Sequence, residues 1–474
     1  MRHNSGVRRR QLLLSALAPT LRAEPLPRDT GYRGIWYFNQ PSSDQYVYKY
    51  SGGFATYPQQ HAPIAIHAPE VRKTFFVYGG ATAPASVSGA QQLLHMVSYF
   101  DHATGTVPRP VILLNKQTGD AHDNPVLSID GEGYLWIFSP AHGVSRPAFL
   151  HRSRQPYSIG EFELVWQTNW SYPQPWHIPG QGFLFLHTRY QQIPGANGMG
   201  RALHWMTSRN GRAWSEPSLL AFAQLGHYQI SWPREGRIGT AFDIHPSPTG
   251  LNARTNIYYL ETPDLGQTWF TVDGTEIRPP IRWDEHPSLV RDFRKDGLLV
   301  YLKDLQYDPE GRPIIVFLTS RGYQSGPANG SRILWTAHWN GGDWEYSRIT
   351  TTDHNYDHGS LYVMSGQHYR YTSPTGPGPQ RHATGGEIET WETYNGGADW
   401  QLTFQHTRNS RFNHTYVRRP LHYHPDFCAL WADGNAFAPS PSRLYFANTR
   451  GEVYQLPAEM SGSQARPTLV KPLP

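Results

Sequence analysis

The sequence predicts an all-β protein, a seven-bladed β-propeller that forms a single domain. Three observations lead to this prediction. The 474-residue chain holds 44 Gly, 40 Pro, 16 Trp and 28 Tyr and has no sustained apolar period of 3.6 residues, a pattern typical of short strands joined by turns. One turn motif recurs along the chain. The apolar segments between turns then fall into seven groups of four strands.

The recurring turn follows a strand and has the form Ser/Thr-x-Asp/Asn-x-Gly-x-x-Trp or a close variant. Clear copies lie at 208–214, 262–269 and 393–400, with looser copies at 308–311 and 339–344. The acidic or amide side chain caps the turn, Gly takes a positive φ, and Trp packs back over the hairpin. These turns resemble the Asp-box of sialidase-like β-propellers.

The predicted blades also place histidines in a pattern. The blades cover residues 62–118, 124–170, 172–222, 227–280, 286–350, 354–405 and 411–457, and Tyr32 to Phe38 are available as a strand that closes the ring. A histidine stands near the start of the innermost strand of most blades: His61, His122, His227, His286, His354 with His358, and His414. Innermost strands all begin on one face, so we expect these side chains to ring one mouth of the central channel.

Residues 1–23 are predicted to be an export signal, and residues 24–474 the propeller. Arg8, Arg9 and Arg10 precede the apolar run from Leu12 to Ala18, which gives the segment twin-arginine character. We therefore expect a periplasmic or secreted protein. Export also changes the charge: the net +5 is 42 basic minus 37 acidic residues, and the signal holds five arginines and no acid. The remaining chain is near neutral, so we expect no nucleic-acid partner. No later run is long and apolar enough to cross a membrane, so we expect no membrane insertion. We also expect a monomer.

The segment from Asp120 to Gly143 predicts a β-hairpin with functional side chains at its open end. Val126 to Ile129 and Tyr134 to Ser139 read as strands around a Gly-rich turn. His122 and His142 are equally far from Glu132, so strand pairing brings both imidazoles together. Two such histidines can form a proton relay, bind a metal, or be surface residues without a function.

The third predicted blade adds two candidates at the same mouth. Tyr190 and Arg201 flank the loop that follows the strand from Phe183 to Thr188, at the end where the two histidines emerge. Residues expected to bind substrate around this mouth are His61, Asn124, His187, His245, His354 and Tyr356.

Histidine, tyrosine and arginine without a convincing pair of carboxylates fit glycoside hydrolysis poorly. They suit β-elimination on a uronic acid, in which a base removes the proton next to the carboxylate, a cation stabilises the developing charge, and an acid protonates the leaving oxygen. Tyrosine can join the proton transfer if a neighbouring cation lowers its pKa.

Several motifs resemble those of the BNR-repeat propeller polysaccharide lyases, a group that includes ulvan lyases and rhamnose–glucuronate lyases. They lie at 32–37, 50–61, 73–80, 250–256 and 353–360. The resemblance implies cleavage next to glucuronate or iduronate, with His122, His142, Tyr190 and Arg201 at the positions of the catalytic residues. In the ulvan lyases a tyrosine is expected near 241–246, where this chain has Ile244 and His245.

The expected substrate is therefore an acidic polysaccharide or oligosaccharide, and no cofactor is expected for the chemistry. Some of these lyases carry a structural metal, zinc or calcium. The candidate ligands are His422, His424 and Cys428, although Cys428 lies in an apolar strand and the core is an alternative place for it. A cation held by the ring of histidines is another alternative.

Two other functions compete with the lyase hypothesis. The first is a glycoside hydrolase that releases a terminal sugar such as rhamnose, using His61 or an acid such as Glu387. The second is a non-catalytic propeller that binds glycans on exposed Trp and Tyr.

Overall fold

The computed structural model describes residues 25–54, 60–83, 91–193 and 197–470. The predicted export signal, 1–23, lies outside the described residues. Among the described residues, strands make up most of the regular structure, and five short 3-10 helices connect some of them: Pro69–Val71, Ala121–Asp123, Gly250–Ala253, Phe293–Asp296 and Pro327–Asn329. In the part of the chain that the structure describes, no helix is long and apolar enough to cross a membrane.

The first half of the chain forms a two-stranded sheet and blades 1 to 3. The sheet pairs β1 (Tyr37–Pro41) with β2 (Tyr48–Gly52). Blade 1 contains β3 (Ala65–Ala68), β4 (Lys73–Ala81), β5 (Leu93–Asp101) and, after the separate β6 (Val107–Pro108), β7 (Val111–Asn115). Blade 2 contains β8 (Val126–Ile129), β9 (Leu135–Ser139), β10 (Ala148–Ser153) and β11 (Phe162–Thr168). Blade 3 contains β12 (Ser171–Ile178), β13 (Gly182–Gln192), β14 (Met199–Ser208) and β15 (Ser218–Ala221).

The second half forms blades 4 to 7. Blade 4 contains β16 (Gln229–Arg234), β17 (Arg237–Ile244), β18 (Thr255–Thr262), β19 (Trp269–Phe270), β20 (Glu276–Ile277) and β21 (Leu289–Arg291). Blade 5 contains β22 (Leu299–Tyr307), β23 (Pro313–Ser320), β24 (Arg332–Trp339) and β25 (Trp344–Thr352). Blade 6 contains β26 (Ser360–Val363), β27 (Tyr369–Gly376), β28 (Glu387–Thr393) and β29 (Gln401–Gln405). Blade 7 contains β30 (Asn413–Arg418), β31 (Ala429–Gly434), β32 (Leu444–Ala447), β33 (Val453–Gln455) and β35 (Thr468–Val470), while β34 (Gln464–Ala465) leaves the blade.

The predicted seven-bladed architecture is confirmed, and the strands of each blade fall within a few residues of the predicted range, except in blades 4, 5 and 7. The range predicted for blade 5 begins at residue 286, whereas its first strand, β22, begins at Leu299. In blade 4, β21 returns from beyond the predicted boundary to pair with β18. In blade 7, β35 pairs with β33 beyond the predicted end at residue 457.

Contacts between blades 1 and 7 close the ring. The predicted closing strand from Tyr32 to Phe38 is not a blade strand: Gly34 makes isolated bridges to Gly80 and Ser442, and Tyr37 and Phe38 belong to β1. A Cβ on Gly34 would lie 2.7 Å from the Ser442 hydroxyl oxygen, so the close approach needs glycine. β34 also pairs with β6, which ties the end of the chain to blade 1.

The Asp-box turns form as predicted and help to pack neighbouring blades. In the blade 4 turn, Asp264 accepts hydrogen bonds from the Thr268 amide (2.9 Å) and hydroxyl (2.6 Å). Gly266 has φ of 86° and lies against Trp205 of blade 3. The buried Trp269 packs edge-on against the same Trp205, with ring centroids 5.4 Å apart. The turn thus fixes a contact between blades 3 and 4.

The antiparallel pairing gives the propeller two distinct faces. We call the face at which the innermost strands β3, β8, β12, β16, β22, β26 and β30 begin the upper face, and the opposite one the lower face. First and third strands of a blade end on the lower face, and second and fourth strands end on the upper face. The open end of the β8–β9 hairpin and the β13–β14 connection therefore lie on the upper face.

Candidate active site

The hairpin of blade 2 brings His122 and His142 together, as its sequence predicts. β8 and β9 pair from Val126 with Phe138 to Ile129 with Leu135, and the turn at 130–133 is capped by Asp130. At the open end the two imidazoles stack with ring centroids 4.0 Å apart and planes 16° apart. The register of one hairpin is sufficient to explain this contact.

Asp120 holds both imidazoles and is the main residue that the sequence interpretation missed. Its carboxylate accepts hydrogen bonds from Nδ1 of His122 (2.6 Å) and Nδ1 of His142 (2.8 Å). It also caps the Ala121–Asp123 helix by accepting from the His122 amide at 3.1 Å. With Nδ1 donating in each ring, Nε2 carries the lone pair. Asp120 therefore sets the tautomer of two potential bases.

A compensating set of charges lies behind Asp120. Arg146 donates to Asp120 at 2.9 Å and binds Asp123 through two nitrogens at 2.8 and 2.9 Å. Lys116 lies 3.5 Å from the Asp123 carboxylate. Two carboxylates thus face two cations, so one proton added to the histidine pair gives the cluster one positive charge.

The pKa shifts agree with this arrangement. Burial on its own would raise the pKa of Asp120, but the charges and hydrogen bonds of His122 and His142 outweigh it and hold that pKa well below its usual range. Burial, aided by the neighbouring His122, lowers the pKa of His142, while Asp120 opposes the decrease. At neutral pH the Asp120 carboxylate is therefore ionised, and the His142 imidazole is able to accept a proton.

The two imidazoles differ in access. The His142 side chain is 25% exposed, whereas that of His122 is 3% exposed. Nε2 of His122 accepts a hydrogen bond from the Tyr50 hydroxyl at 2.8 Å. His142 is therefore the more accessible of the two imidazoles, and His122 is connected to it through Asp120 and to the interior through Tyr50.

Tyr190 and Arg201 lie beside this pair, as predicted. They are directly opposite each other on β13 and β14, and the Arg201 guanidinium lies 5.1 Å from the Tyr190 ring centroid. The Tyr190 ring is 5.8 Å from that of His142, and its hydroxyl lies 3.4 Å from that of Tyr172. Burial raises the pKa of Tyr190 despite the opposing effect of Arg201. A net lowering of the pKa of Tyr190 by a neighbouring cation, the condition for tyrosine to join the proton transfer in this way, is therefore not met, because desolvation outweighs the charge of Arg201.

Three basic side chains, Lys49, Arg201 and Arg254, lie close enough to influence one another, and the sequence interpretation named only Arg201. Burial, followed by the positive charges of Arg254 and Arg201, lowers the pKa of Lys49 to about 6. Lys49 contacts the Asn252 side chain. Arg254 is buried, donates to the Tyr356 hydroxyl at 2.8 Å, and lies over the Tyr301 ring. Asn252 and Arg254 both belong to the motif at 250–256, which carries part of the family resemblance.

Buried aromatic rings, mostly of tyrosines, surround the central channel near the upper face, where the sequence predicts a ring of histidines. His227 and His414 are held in the interior by hydrogen bonds with the Ala223 amide and the Trp431 indole, and His286 bonds Ser288. Near the starts of the innermost strands, neighbouring aromatic rings instead follow one another around the channel: Tyr172, Tyr228, Tyr301, Tyr356, His358 and Tyr416, with Tyr172 also next to His61. The predicted ring of histidines is therefore wrong for His227, His286 and His414, because these side chains form hydrogen bonds with backbone and side-chain groups inside the blades.

The six predicted substrate-binding residues are all buried in the structure. His61, Asn124, His187, His245, His354 and Tyr356 are each at most 5% exposed. His61, His245 and Tyr356 support the mouth from below, through rings of Tyr172, Tyr228 and Tyr50 respectively. His187 packs against Phe185 and His204, His354 bonds Ser325, and Asn124 bonds the Phe54 carbonyl. These three are packing residues.

The predicted metal ligands do not come together. Cys428 is buried in a core cluster with Tyr362 and Trp431, and burial raises the pKa of its thiol to about 12. His422 lines a cavity on the lower face beside Trp176 and Tyr423. His424 instead lies against His102, with ring centroids 3.9 Å apart. The core alternative for Cys428 is therefore correct.

Glu387, the acid considered for hydrolysis, is a structural residue. It is 4% exposed and accepts hydrogen bonds from the Ser410 amide at 2.8 Å and hydroxyl at 2.7 Å. The Thr407 hydroxyl also donates to it. A carboxylate with three donors inside blade 6 cannot act on a ligand in the mouth.

The chain is similar to a known protein family over the region that contains this site. A family model described as BNR repeat-containing family member matches residues 94–352, more than half of the chain. The chain belongs to this BNR repeat-containing family. The matched residues include the whole His122, His142, Tyr190 and Arg201 constellation.

Two curated relatives and two solved structures are similar to this BNR-repeat protein. An ulvan lyase from Nonlabens ulvanivorans is 25% identical over 337 residues, covering 63% of this chain and 68% of the relative. An ulvan lyase of family PL25 from Pseudoalteromonas sp. (strain PLSV) is 22% identical over 388 residues, covering 71% and 74%. A solved PL25 ulvan lyase superposes with a TM-score of 0.66 at 16% identity, covering 88% of this chain and 95% of that one. A structure of such a lyase bound to -[GlcA(1-4)Rha3S]- gives a TM-score of 0.66 at 15% identity, covering 89% and 96%. The structural likeness confirms the propeller fold.

Proposed function

We propose that the protein is a polysaccharide lyase that cleaves a rhamnose–uronate linkage in an acidic glycan such as ulvan by β-elimination, leaving an unsaturated uronate. The uronate is glucuronate or iduronate. The observation that carries the proposal is the imidazole pair on Asp120, facing Tyr190 and Arg201 across one mouth. The similarity to two ulvan lyases supports the same reaction class and an acidic polysaccharide substrate.

The base in this proposal is the His122–His142 pair. Asp120 accepts from both Nδ1 atoms, which leaves Nε2 of the more exposed His142 free to accept the proton next to the uronate carboxylate. The ionised Asp120 stabilises the imidazolium that forms. The proton moves from carbon to an imidazole whose pKa is lowered, so the base is neutral at the pH of reaction.

Tyr190 is the acid that protonates the leaving glycosidic oxygen. Its raised pKa keeps the phenol protonated at neutral pH, which suits a proton donor better than a base. The bond from the leaving oxygen to the ring carbon breaks as the double bond forms. Tyr190 loses its proton to that oxygen and regains one from solvent or from the imidazolium.

Arg201 provides the positive side of the pocket, and the buried Arg254 and Lys49 lie behind it. A uronate carboxylate in front of Arg201 would be neutralised there, which lowers the cost of the enolate-like charge that develops in the transition state. Burial and, after it, repulsion from the two arginines disfavour the charged form of Lys49. A bound anion would relieve that repulsion, so this group of side chains favours an acidic ligand.

The basic and apolar first 23 residues support export. We propose that the enzyme acts outside the cytoplasm, as a monomer, where a polymeric substrate is accessible. Chemistry at the site uses side chains of this chain alone.

Incubation of the purified protein with ulvan tests the proposal. Ultraviolet absorbance and reducing ends should rise together, because each elimination creates one double bond and one new chain end. Tyr190→Phe should abolish both signals while the circular dichroism spectrum is unchanged, and Tyr394→Phe, at an exposed tyrosine in an Asp-box turn, should retain both. Reducing ends without absorbance would show a hydrolase, and binding without either signal would show a non-catalytic glycan-binding propeller.

A further inference from the structure

A cluster of imidazoles and a carboxylate lies where blade 7 meets blade 1, apart from the candidate active site. His102 follows β5, and His424 and Asp426 precede β31. One ligand atom from each of these three residues lies within 4.8 Å of the others. His67 in β3 adds a second imidazole from blade 1, with its ring 5.3 Å from that of His102 and 5.0 Å from that of His424.

We propose that His102, His424 and Asp426 bind a zinc-class divalent cation, with His67 available as the fourth ligand, and that the ion joins the first and last blades of the propeller. Two imidazoles and a carboxylate are ligands that zinc prefers, whereas calcium selects oxygen ligands. Ligand atoms at about 2.1 Å from a tetrahedral zinc lie about 3.4 Å apart, so modest side-chain rotations complete the site.

The surroundings of His102 provide an independent reason to expect a ligand. Nε2 of His102 hydrogen-bonds the Thr74 hydroxyl at 2.8 Å. Nδ1 of the same ring is buried and has no hydrogen-bond partner among the described residues. When Nε2 donates to Thr74, the Nδ1 lone pair is directed into the cluster. A hydroxyl on the far nitrogen of a ligating imidazole is a common way to fix its tautomer.

The backbone holds the two halves of the cluster in place. Leu421 makes a parallel bridge with Ile66, and the His67 amide donates to the Leu421 carbonyl at 3.0 Å. The segment that leads to His424 therefore lies along β3. The His422 backbone also hydrogen-bonds the His67 side chain. Asp426 has one weak competing partner, the exposed Arg450 at 3.5 Å.

The strand directions place this cluster on the lower face. β3 and β5 both run from the upper to the lower face, and β31 begins where β30 ends, also on the lower face. The His122–His142 pair lies on the upper face. An ion in the cluster would therefore stabilise ring closure without taking part in turnover.

Metal binding and thermal unfolding of the full chain test this proposal. The protein is treated with EDTA, dialysed, and titrated with zinc, cobalt(II) or calcium. We expect one equivalent of zinc per chain, an increase in Tm of several degrees with zinc, a visible absorption of tetrahedral cobalt(II), and no response to calcium. Lyase turnover at low temperature should be the same with and without zinc. Failure of both zinc and cobalt(II) to bind would overturn the proposal.

Matched histidine variants locate the ion. His102→Ala and His424→Ala should each remove the zinc-dependent increase in Tm, and His67→Ala should weaken it. The control is His338→Ala, since His338 pairs with Asp308 at 2.9 Å in blade 5, away from the cluster. If both His102→Ala and His424→Ala keep the full zinc response, the ion binds elsewhere and the assignment is wrong. If a variant does not fold, stoichiometry and the cobalt(II) spectrum of the unmodified chain decide the outcome.

Discussion

Replacing Asp120 by Asn is the sharpest perturbation of the candidate site. The change keeps the shape of the side chain and removes its charge. Asp120 accepts charge-assisted or polar hydrogen bonds from His122, His142 and Arg146 at 2.6 to 2.9 Å. An amide can accept from only part of this set, and its NH₂ group faces donors. The two imidazoles would then lose the fixed tautomer that leaves Nε2 of His142 free.

The expected effect on turnover is a decrease in kcat by a factor of about 10² to 10⁴, which corresponds to about 3 to 5 kcal/mol of activation free energy. Asp120 raises the pKa of His142, so its removal lowers that pKa further. The acidic limb of the pH–rate profile should therefore move to lower pH in Asp120→Asn, while the plateau decreases because the base is weaker.

The same substitution has a predicted effect on stability. The pKa of Asp120 is held below its usual range in the folded state. A carboxylate with a lowered pKa stabilises the fold above the pKa of the unfolded chain, about 4, and that contribution is lost as the pH falls through the folded-state value. At pH 7 the free energy of unfolding should decrease by about 2 to 3 kcal/mol in the variant. The difference from the unmodified chain should become smaller below about pH 4.

Absorbance at saturating ulvan gives kcat, and urea unfolding at pH 7 and pH 3 gives the stability difference. Asp264→Asn is the matched control, because Asp264 caps an Asp-box turn on the lower face and its pKa is also lowered. It should lose about 1 kcal/mol of stability and keep its turnover. An Asp120→Asn enzyme with more than half of the original kcat and an unchanged pH profile would refute the role given to Asp120.

Further predictions concern the acid, the cations and the pH range. Tyr190→Phe should reduce kcat at least about 100-fold with little change in KM, since the phenol acts in the transition state; an unchanged kcat would remove Tyr190 from the mechanism. Arg201→Lys should raise KM for ulvan and lower kcat, because an ammonium cannot form the bidentate contact with a carboxylate. Lys49→Met should weaken binding most below pH 6, where Lys49 is protonated even without a ligand; equal weakening at pH 6 and pH 9 would contradict its lowered pKa. In the unmodified enzyme, activity should decrease only below the ordinary histidine pKa, because the pKa of His142 is lowered. Ionisation of Tyr190 should cause no decrease up to pH 10, because the pKa of Tyr190 is raised. Rate profiles across pH 4 to 10 test both expectations.

Much of the fold could be predicted because each blade repeats the same local rules. Asp-box turns are recognisable from a motif of seven or eight residues, and the apolar segments between them indicate the number of strands. The contacts that close the ring are harder to predict from the sequence. Ring closure depends on the contact of Gly34 with Ser442 and on the pairing of β6 with β34, and these partners lie hundreds of residues apart. No local sequence pattern indicates such pairs. Short strands such as β34, with two residues, carry almost no sequence signal.

The site was predictable where hairpin register determines it and not where burial does. His122 with His142, and Tyr190 with Arg201, follow from counting along two hairpins. Asp120 was overlooked because an Asp before a short helix reads as a cap, and it is one. The ring of histidines failed for a related reason. A histidine at a strand start can face the channel or bond the neighbouring blade, and only packing decides between them.

The placement of carboxylates bears on the choice between elimination and hydrolysis. Hydrolysis usually needs one carboxyl group that is protonated at neutral pH and a second that is ionised. The carboxylate next to the candidate base, Asp120, accepts from four donor groups and has a strongly lowered pKa, so it cannot be the protonated acid. Glu387 is enclosed in blade 6 by Ser410 and Thr407. The groups that can exchange protons in the mouth are an imidazole and a phenol whose pKa values are shifted apart, His142 downward and Tyr190 upward. A base that is neutral and an acid that is protonated over the same pH range, beside cations that suit a uronate, match the requirements of elimination.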